Sequence, residues 1–289
     1  MKPIPRFLKK PKSFWASVRS LSQQVGYSKR DTIIIPTVRQ MAEAFDNLGL
    51  DANRIFKNGK PTELADELLD YFKERARVLV NEVEPKLLNA EEAKALFEQT
   101  QAEYDHTCPI PMNKQKGEKK AAAFLTALVN MMVERHAQGL PCNYDPRELT
   151  TITHDGAPLR TLARRVDGAF PSAVNPIAIW EIKEYYYTTT FGSRVADGVY
   201  ETLLDGMEIE ELREHEGVDV KHYLMADAHY TWWKCGKAYL CRMFDMLHMG
   251  YADEILFGRE VVEEMPRIVA EWVETHNNRE ANDAPPSTV

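Results

Sequence analysis

Stretches in which apolar residues recur every three or four positions alternate with short continuous apolar runs, a mixture that predicts helices interleaved with buried strands. The helical spacing is clearest in the first third. Phe14, Val18 and Leu21 keep it through Ser13 to Val25, and Thr37 to Leu48 resumes it up to Gly49, a residue suited to closing a helix. Leu64, Leu68, Phe72, Leu79 and Val83 line one side of a helix that starts at Thr62. Asn89 with Glu92 has the form of a capping box and opens another helix, which turns Ala93, Leu96 and Phe97 inward on the way to Tyr104. Gly26 to Arg30 interrupts the pattern, Ile33 to Ile35 is a β-like run stopped by Pro36, and Lys57 to Pro61 reads as a turn.

After His106 to Lys116, a polar stretch with two prolines, the pattern changes. A helix through Ala121 to His136 comes first, with Glu118, Ala122, Leu125 and Val129 on one face. Glu148 to Thr153 is β-rich and ends in the turn His154-Asp155-Gly156. Leu162 to Phe170 and Ile177 to Lys183 read as two strands, joined by a loop containing Pro171, Ser172, Asn175 and Pro176. A helix starts near Gly192-Ser193-Arg194, and Val220 to Asp227 forms the next strand. Trp232-Trp233 leads into a helix through Met249 that Gly250 stops, and a last helix covers about Arg259 to His276. This order predicts an α/β fold in three parts: a mostly helical region over 1–114, a core over 115–276 with a central mixed sheet flanked by helices, and a tail over 277–289 expected to be disordered.

Asp167 ends the first strand, and Glu181 and Lys183 share one face of the second while Ile182 faces the other way. Charges on a core strand must be paired or must hold an ion. An acid, a loop and then acid-apolar-lysine resembles the PD-(D/E)xK nuclease superfamily, which includes many restriction endonucleases. The resemblance spans about Gly117 to Gly250, and it departs from the family pattern at Val166, where a proline often stands. A solvated Lys–Glu pair at a strand end gives the same three letters.

The resemblance implies a restriction-endonuclease-like core and Mg²⁺ held by Asp167 and Glu181, with Lys183 beside the attacking water. It also implies that Glu118, on the helix before the core strands, reaches the metal site; a glutamate in a first helical turn equally complements the helix dipole. The implied activity is hydrolysis of DNA phosphodiesters to 5′-phosphate ends, with a type II restriction endonuclease as the leading expectation. A homodimer would then cut both strands, and a cognate methyltransferase could accompany it. The alternatives are a repair, recombination or antiviral-defence nuclease on the same core, and a noncatalytic DNA-binding protein.

Composition narrows the partners. The chain of 289 residues carries a net charge of −8, yet Lys2, Arg6, Lys9, Lys10, Lys12, Arg19, Lys29, Arg30 and Arg39 crowd its start. Residues 1 to 12 read as an extended basic arm for phosphate, or as a solubilising tail. Expected DNA contacts are Lys9, Lys10 and Lys12, then Tyr27, Lys29 and Arg30 in the turn between two helices, and Ser193 and Arg194 at a helix start. Cys108, Cys142, Cys235 and Cys241 form no CxxC pair, so neither structural zinc nor a disulfide framework is expected. The apolar run Ala121 to Val133 is too short for a bilayer, and the basic N-terminus lacks a secretory apolar segment, so no membrane partner and a cytoplasmic location are expected.

Overall fold

The computed structural model describes residues 1–30, 32–113, 121–188 and 191–283. In chain order it begins with a short helix α1 (Pro5–Leu8), helix α2 (Lys12–Val25), the small antiparallel pair β1 (Ser28–Lys29) and β2 (Thr32–Ile33), and helix α3 (Val38–Asn47). The Thr37 side chain and Gln40 form a reciprocal capping box at the start of α3, and Gly49 sits beyond its end at φ +69°. The hairpin β3 (Phe56–Lys57) and β4 (Lys60–Pro61) turns on Asn58 and Gly59, both at positive φ, before helix α4 (Glu63–Val78). Leu79–Val83 continues α4 as a wider π-type turn, and a short 3₁₀ turn then leads to helix α5 (Ala90–Glu103), capped by Asn89 and Glu92 as expected.

The second part starts with helix α6 (Phe124–His136) and the hairpin β5 (Thr151–His154) and β6 (Ala157–Thr161), which turns on Asp155 and Gly156. Then come β7 (Gly168–Phe170), β8 (Ala178–Glu184), helix α7 (Ser193–Glu216), β9 (Lys221–Asp227), helix α8 (Lys237–His248), β10 (Glu254–Phe257) and helix α9 (Glu260–Asp283). The main sheet has the order β10-β9-β8-β7. Strands β8, β9 and β10 are parallel, and β7 is antiparallel to β8. This is an α/β fold built on a mixed four-stranded sheet with three small two-stranded sheets.

The inner strands are apolar on both faces because both are covered. Trp180 and Tyr223 pack with α6 and α9, where Trp180 stacks on Trp272 at 5.4 Å and 11°. On the other face, Ile179 meets Leu212 of α7, while Leu224 and Ile255 join a core that includes Phe244 of α8. Gly168 is required by this packing, since a Cβ there would lie 2.1 Å from the Trp180 ring.

The N-terminal region is continuous with this architecture. Phe14, Trp15 and Leu21 of α2 and Tyr71 of α4 share one core with Leu240, Met243 and Phe244 of α8. The fully buried Arg75 of α4 pairs with Asp245 of α8 at 3.0 Å, and Tyr71 donates its hydroxyl to the same carboxylate at 2.5 Å. No helix among the described residues is long and apolar enough to cross a membrane.

Four expectations are corrected. The strand expected over Leu162 to Phe170 is reduced to β7, because the residues before it are tied elsewhere: the Leu162 N–H donates to Thr150, Ala163 to Glu208, and Arg164 reaches Asp205. The start of the chain is not an extended arm: it forms α1, and Met1 exchanges backbone hydrogen bonds with Ile255 at the outer edge of β10. Helix α6 begins at Phe124 rather than Ala121. Helix α9 runs to Asp283, through the first seven residues expected to be a disordered tail.

Candidate functional site

The antiparallel pairing of β7 with β8 sets the site. Just before β7, the Asp167 N–H donates to the Trp180 carbonyl at 3.1 Å, and its carboxylate Oδ2 accepts the Ile182 N–H at 2.8 Å. The side chain is thereby pinned beside Glu181. Glu181 is fully buried, and cations hold both of its oxygens: Arg164 Nη1 lies 2.9 Å from Oε1, and Lys183 Nζ lies 2.6 Å from Oε2. Lys183 also reaches Glu201 of α7 at 3.2 Å, and Arg164 reaches Asp205 of α7 at 2.6 Å. Gly198 of α7 leaves room for the lysine, since a Cβ there would sit 3.0 Å from Lys183 Cδ.

Among the described residues, four carboxylates therefore face two cations in one cluster. Burial and the neighbouring Glu181 charge push the Asp167 carboxyl up to about 6, and the same two causes push Asp205 up to about 7. Burial also works against ionisation of Glu181, but Lys183 and Arg164 outweigh it and hold the group below its ordinary range. Lys183 is likewise desolvated, yet Glu181 and Asp167 keep it charged well past neutral pH.

A cavity of about 660 Å³ opens beside the cluster, with Asp167, Lys183, Glu184, Ser193, Asp197 and Glu201 in its wall. Glu184, on the other face of β8, accepts the Leu125 N–H at 2.8 Å near the start of α6. Burial pushes its carboxyl up to about 7. Its register partner Asp227 is also raised by burial to about 7 and accepts hydrogen bonds from Tyr186 and Leu88.

The donor set fits a hard divalent cation in its chemistry, being all oxygen and net negative. Asp167 Oδ1 has no hydrogen bond among the described residues and belongs to a side chain in the cavity wall. Glu181, by contrast, is engaged on both oxygens. No group of three or more His, Cys, Asp or Glu among the described residues is arranged to hold a metal ion.

Of the residues expected at the active site, Asp167, Glu181 and Lys183 come together, and Glu118 lies outside the described residues. Ser193 lines the same cavity, whereas nothing is described of the Arg194 side chain. The remaining DNA-contact candidates are spread elsewhere. Lys10 pairs with Glu67 at 2.5 Å, Lys12 lies 3.8 Å from Glu210, and Lys9, Lys29 and Arg30 are exposed. Tyr27 packs beneath the guanidinium of Arg242.

Arg164, Glu201 and Asp205 are not among the residues expected from the sequence. A signal for two of them was present: Asp197, Glu201 and Asp205 are spaced by four and fall on one helix face. Residues 88–272 match a family described as a domain of unknown function, DUF7687. The chain belongs to the DUF7687 family. Its first 82 residues match a second domain of unknown function, DUF7690, so the junction between the two matches falls before α5. No curated protein and no solved structure matches the chain. In this DUF7687 chain the whole Asp167–Lys183 cluster lies within the matched span.

Proposed function

We propose that this DUF7687 protein is a Mg²⁺-dependent DNA endonuclease with a restriction-endonuclease-like core, most specifically a type II restriction endonuclease. The observation that carries the reading is the meeting of Asp167, Glu181 and Lys183 at one antiparallel corner, with Asp167 and Lys183 facing a common cavity. Asp167 and Glu181 would hold the metal. When bound, the cation supplies Lewis-acid polarisation of the scissile phosphate and acidifies a water. Lys183 keeps its charge at neutral pH, orients that water and offsets negative charge developing on the phosphate. Glu201 holds Lys183 directly and Arg164 holds Glu181, and Glu181 must exchange one of its cation contacts for the metal. Cleavage of both strands would use two copies of the chain.

The deciding experiment is incubation of the full chain with sequence-diverse duplex DNA and Mg²⁺ or Mn²⁺, followed by sequencing of any ends. The expected result is metal-dependent cleavage leaving 5′-phosphates and reduced by orders of magnitude in Asp167→Asn and Lys183→Ala. Cleavage at a recurrent sequence separates a restriction enzyme from a repair, recombination or defence nuclease, which would favour branched, nicked or modified DNA. A second reading, a noncatalytic DNA-binding protein, is favoured by the engagement of both Glu181 oxygens with Arg164 and Lys183. DNA binding without cleavage under every metal condition selects it.

A further inference from the structure

A second cavity, about 470 Å³, opens where α2 and the β1 hairpin meet α7 and α8. It uses a different side of α7 from the first. Val199, Tyr200 and Leu203 line this cavity, whereas Ser193, Asp197 and Glu201 line the other.

Its electrostatics are unusual for an acidic chain. The Arg242 guanidinium lies 4.2 Å from the Tyr27 ring centre and 4.7 Å from that of Tyr239, so a flat cation is stacked among aromatic faces. Only its Nη1 has a hydrogen bond among the described residues, to Ala238 at 3.2 Å. Arg19, also in the wall, is exposed and has no ion pair among the described residues. The carboxylate in the wall, Asp245, is already neutralised, since it accepts from Tyr71 at 2.5 Å and Arg75 at 3.0 Å. Two guanidinium groups thus have no carboxylate partner among the described residues and lie beside aromatic and aliphatic surface, with the exposed amides of Gln23 and Gln24 alongside.

A ligand that satisfies all of this has a flat face to stack, a polar edge for amides and an anionic group for arginine. Nucleotides combine those three properties: bases stack on tyrosine and arginine planes, and side-chain amides read their edges. We infer that this cavity binds a single nucleotide, its base on the exposed ring of Tyr200 beside Arg242, its edge at Gln23 and Gln24, and its phosphate at Arg19. This is a separate site from the Asp167–Lys183 cluster and does not depend on cleavage there. The nucleotide is either free in solution or unstacked from a strand; the chemistry is shared.

The test is calorimetric titration of the full chain with 5′-mononucleotides, and in parallel with a short single-stranded oligonucleotide and its abasic counterpart. Binding is expected at a dissociation constant below about 1 mM, weakened at least tenfold by Arg242→Gln and by Arg19→Gln. Gln23→Ala should change the ranking of the four bases. Lys60→Gln, on the exposed β4 hairpin, is the charge control and should leave affinity unchanged. Arg19 is exposed, so its replacement keeps the inference testable even if Arg242→Gln unfolds the chain. Arginine-dependent binding of mononucleotides alone assigns a free nucleotide; arginine-dependent binding of the strand, lost in the abasic version, assigns an unstacked base. Absence of binding by both ligand types, or binding indifferent to both arginine substitutions, overturns the inference.

Discussion

Asp167 donates its backbone N–H to Oε1 of Glu181 at 3.2 Å, so a half-buried and a fully buried carboxylate sit side by side under opposite electrostatic conditions. Glu181 is compensated by Arg164 and Lys183 and is held ionised, whereas Asp167 is pushed up to about 6 by burial and by Glu181 itself. Their neutral analogues should therefore differ in sign. At pH 8 without metal, Asp167→Asn should be as stable as the parent or more stable, by up to about 2 kcal/mol. Glu181→Gln removes the buried charge that Arg164 and Lys183 share, leaving them only Asp205 and Glu201, and should lose about 3 kcal/mol. Chemical denaturation of both variants checks this, and equal effects would refute the asymmetry.

The same asymmetry fixes a pH dependence. Below about 6 the Asp167 carboxyl is protonated and cannot serve as an oxygen ligand; above it the carboxylate is available. Affinity for Mg²⁺ or Mn²⁺, read as the rise in melting temperature on adding metal, should increase from pH 5 to pH 7. Asp167→Asn should flatten that response. An unchanged metal-induced shift in this variant would remove Asp167 from the ligand set.

Asp227 offers a test of linkage outside the cluster. Burial raises its carboxyl from an ordinary value of 3.8 to about 7, so the folded state holds a proton that the unfolded state has released between those values. With fewer protons bound in the unfolded chain, stability falls as pH rises from about 4 to about 7. Asp227→Asn keeps an oxygen for the Leu88 and Ala228 N–H groups and should reduce that decline. Denaturation midpoints measured across this interval would show an unaltered slope if Asp227 is ionised throughout.

Gly168→Ala should damage both the fold and the site. The added Cβ meets the Trp180 ring at 2.1 Å, next to the residue that places Asp167. A loss of at least about 1–3 kcal/mol is expected, together with lowered metal affinity. Gly59→Ala, where no atom lies within 4 Å, adds only backbone strain at φ +77° and should cost about 1 kcal/mol. Similar destabilisation by the two substitutions would count against the Trp180 contact.

The arm lysines invite a narrower expectation than their clustering suggests. Lys2, Lys10 and Lys12 each have a carboxylate within 4 Å, at Glu254, Glu67 and Glu210, whereas Lys9 has none among the described residues. Neutralising Lys9 should lower the salt dependence of any DNA binding by about one ion, and neutralising Lys10 by less. A larger effect from Lys10 would show that its pairing with Glu67 opens on DNA.

Local features were legible because they depend on near neighbours in the chain. The cap at Asn89 and the hairpin turn at Asp155-Gly156 are set by residues within four positions, and Ile177 to Lys183 and Val220 to Asp227 are apolar enough to announce inner strands. Strand β10 was not legible. Its four residues, Glu254–Phe257, are too few for periodicity to separate strand from helix, and only pairing with β9 makes them one. Tertiary structure also decided that Ala163 and Arg164 turn away to meet α7, that Arg75 pairs with Asp245 far along the chain, and that Met1 lies at the edge of β10. The trio Asp167, Glu181 and Lys183 could be named from spacing, but not its electrostatics. Those come from Arg164, just ahead of β7, and from Glu201 and Asp205, which α7 brings to the strand across distances that no local pattern encodes.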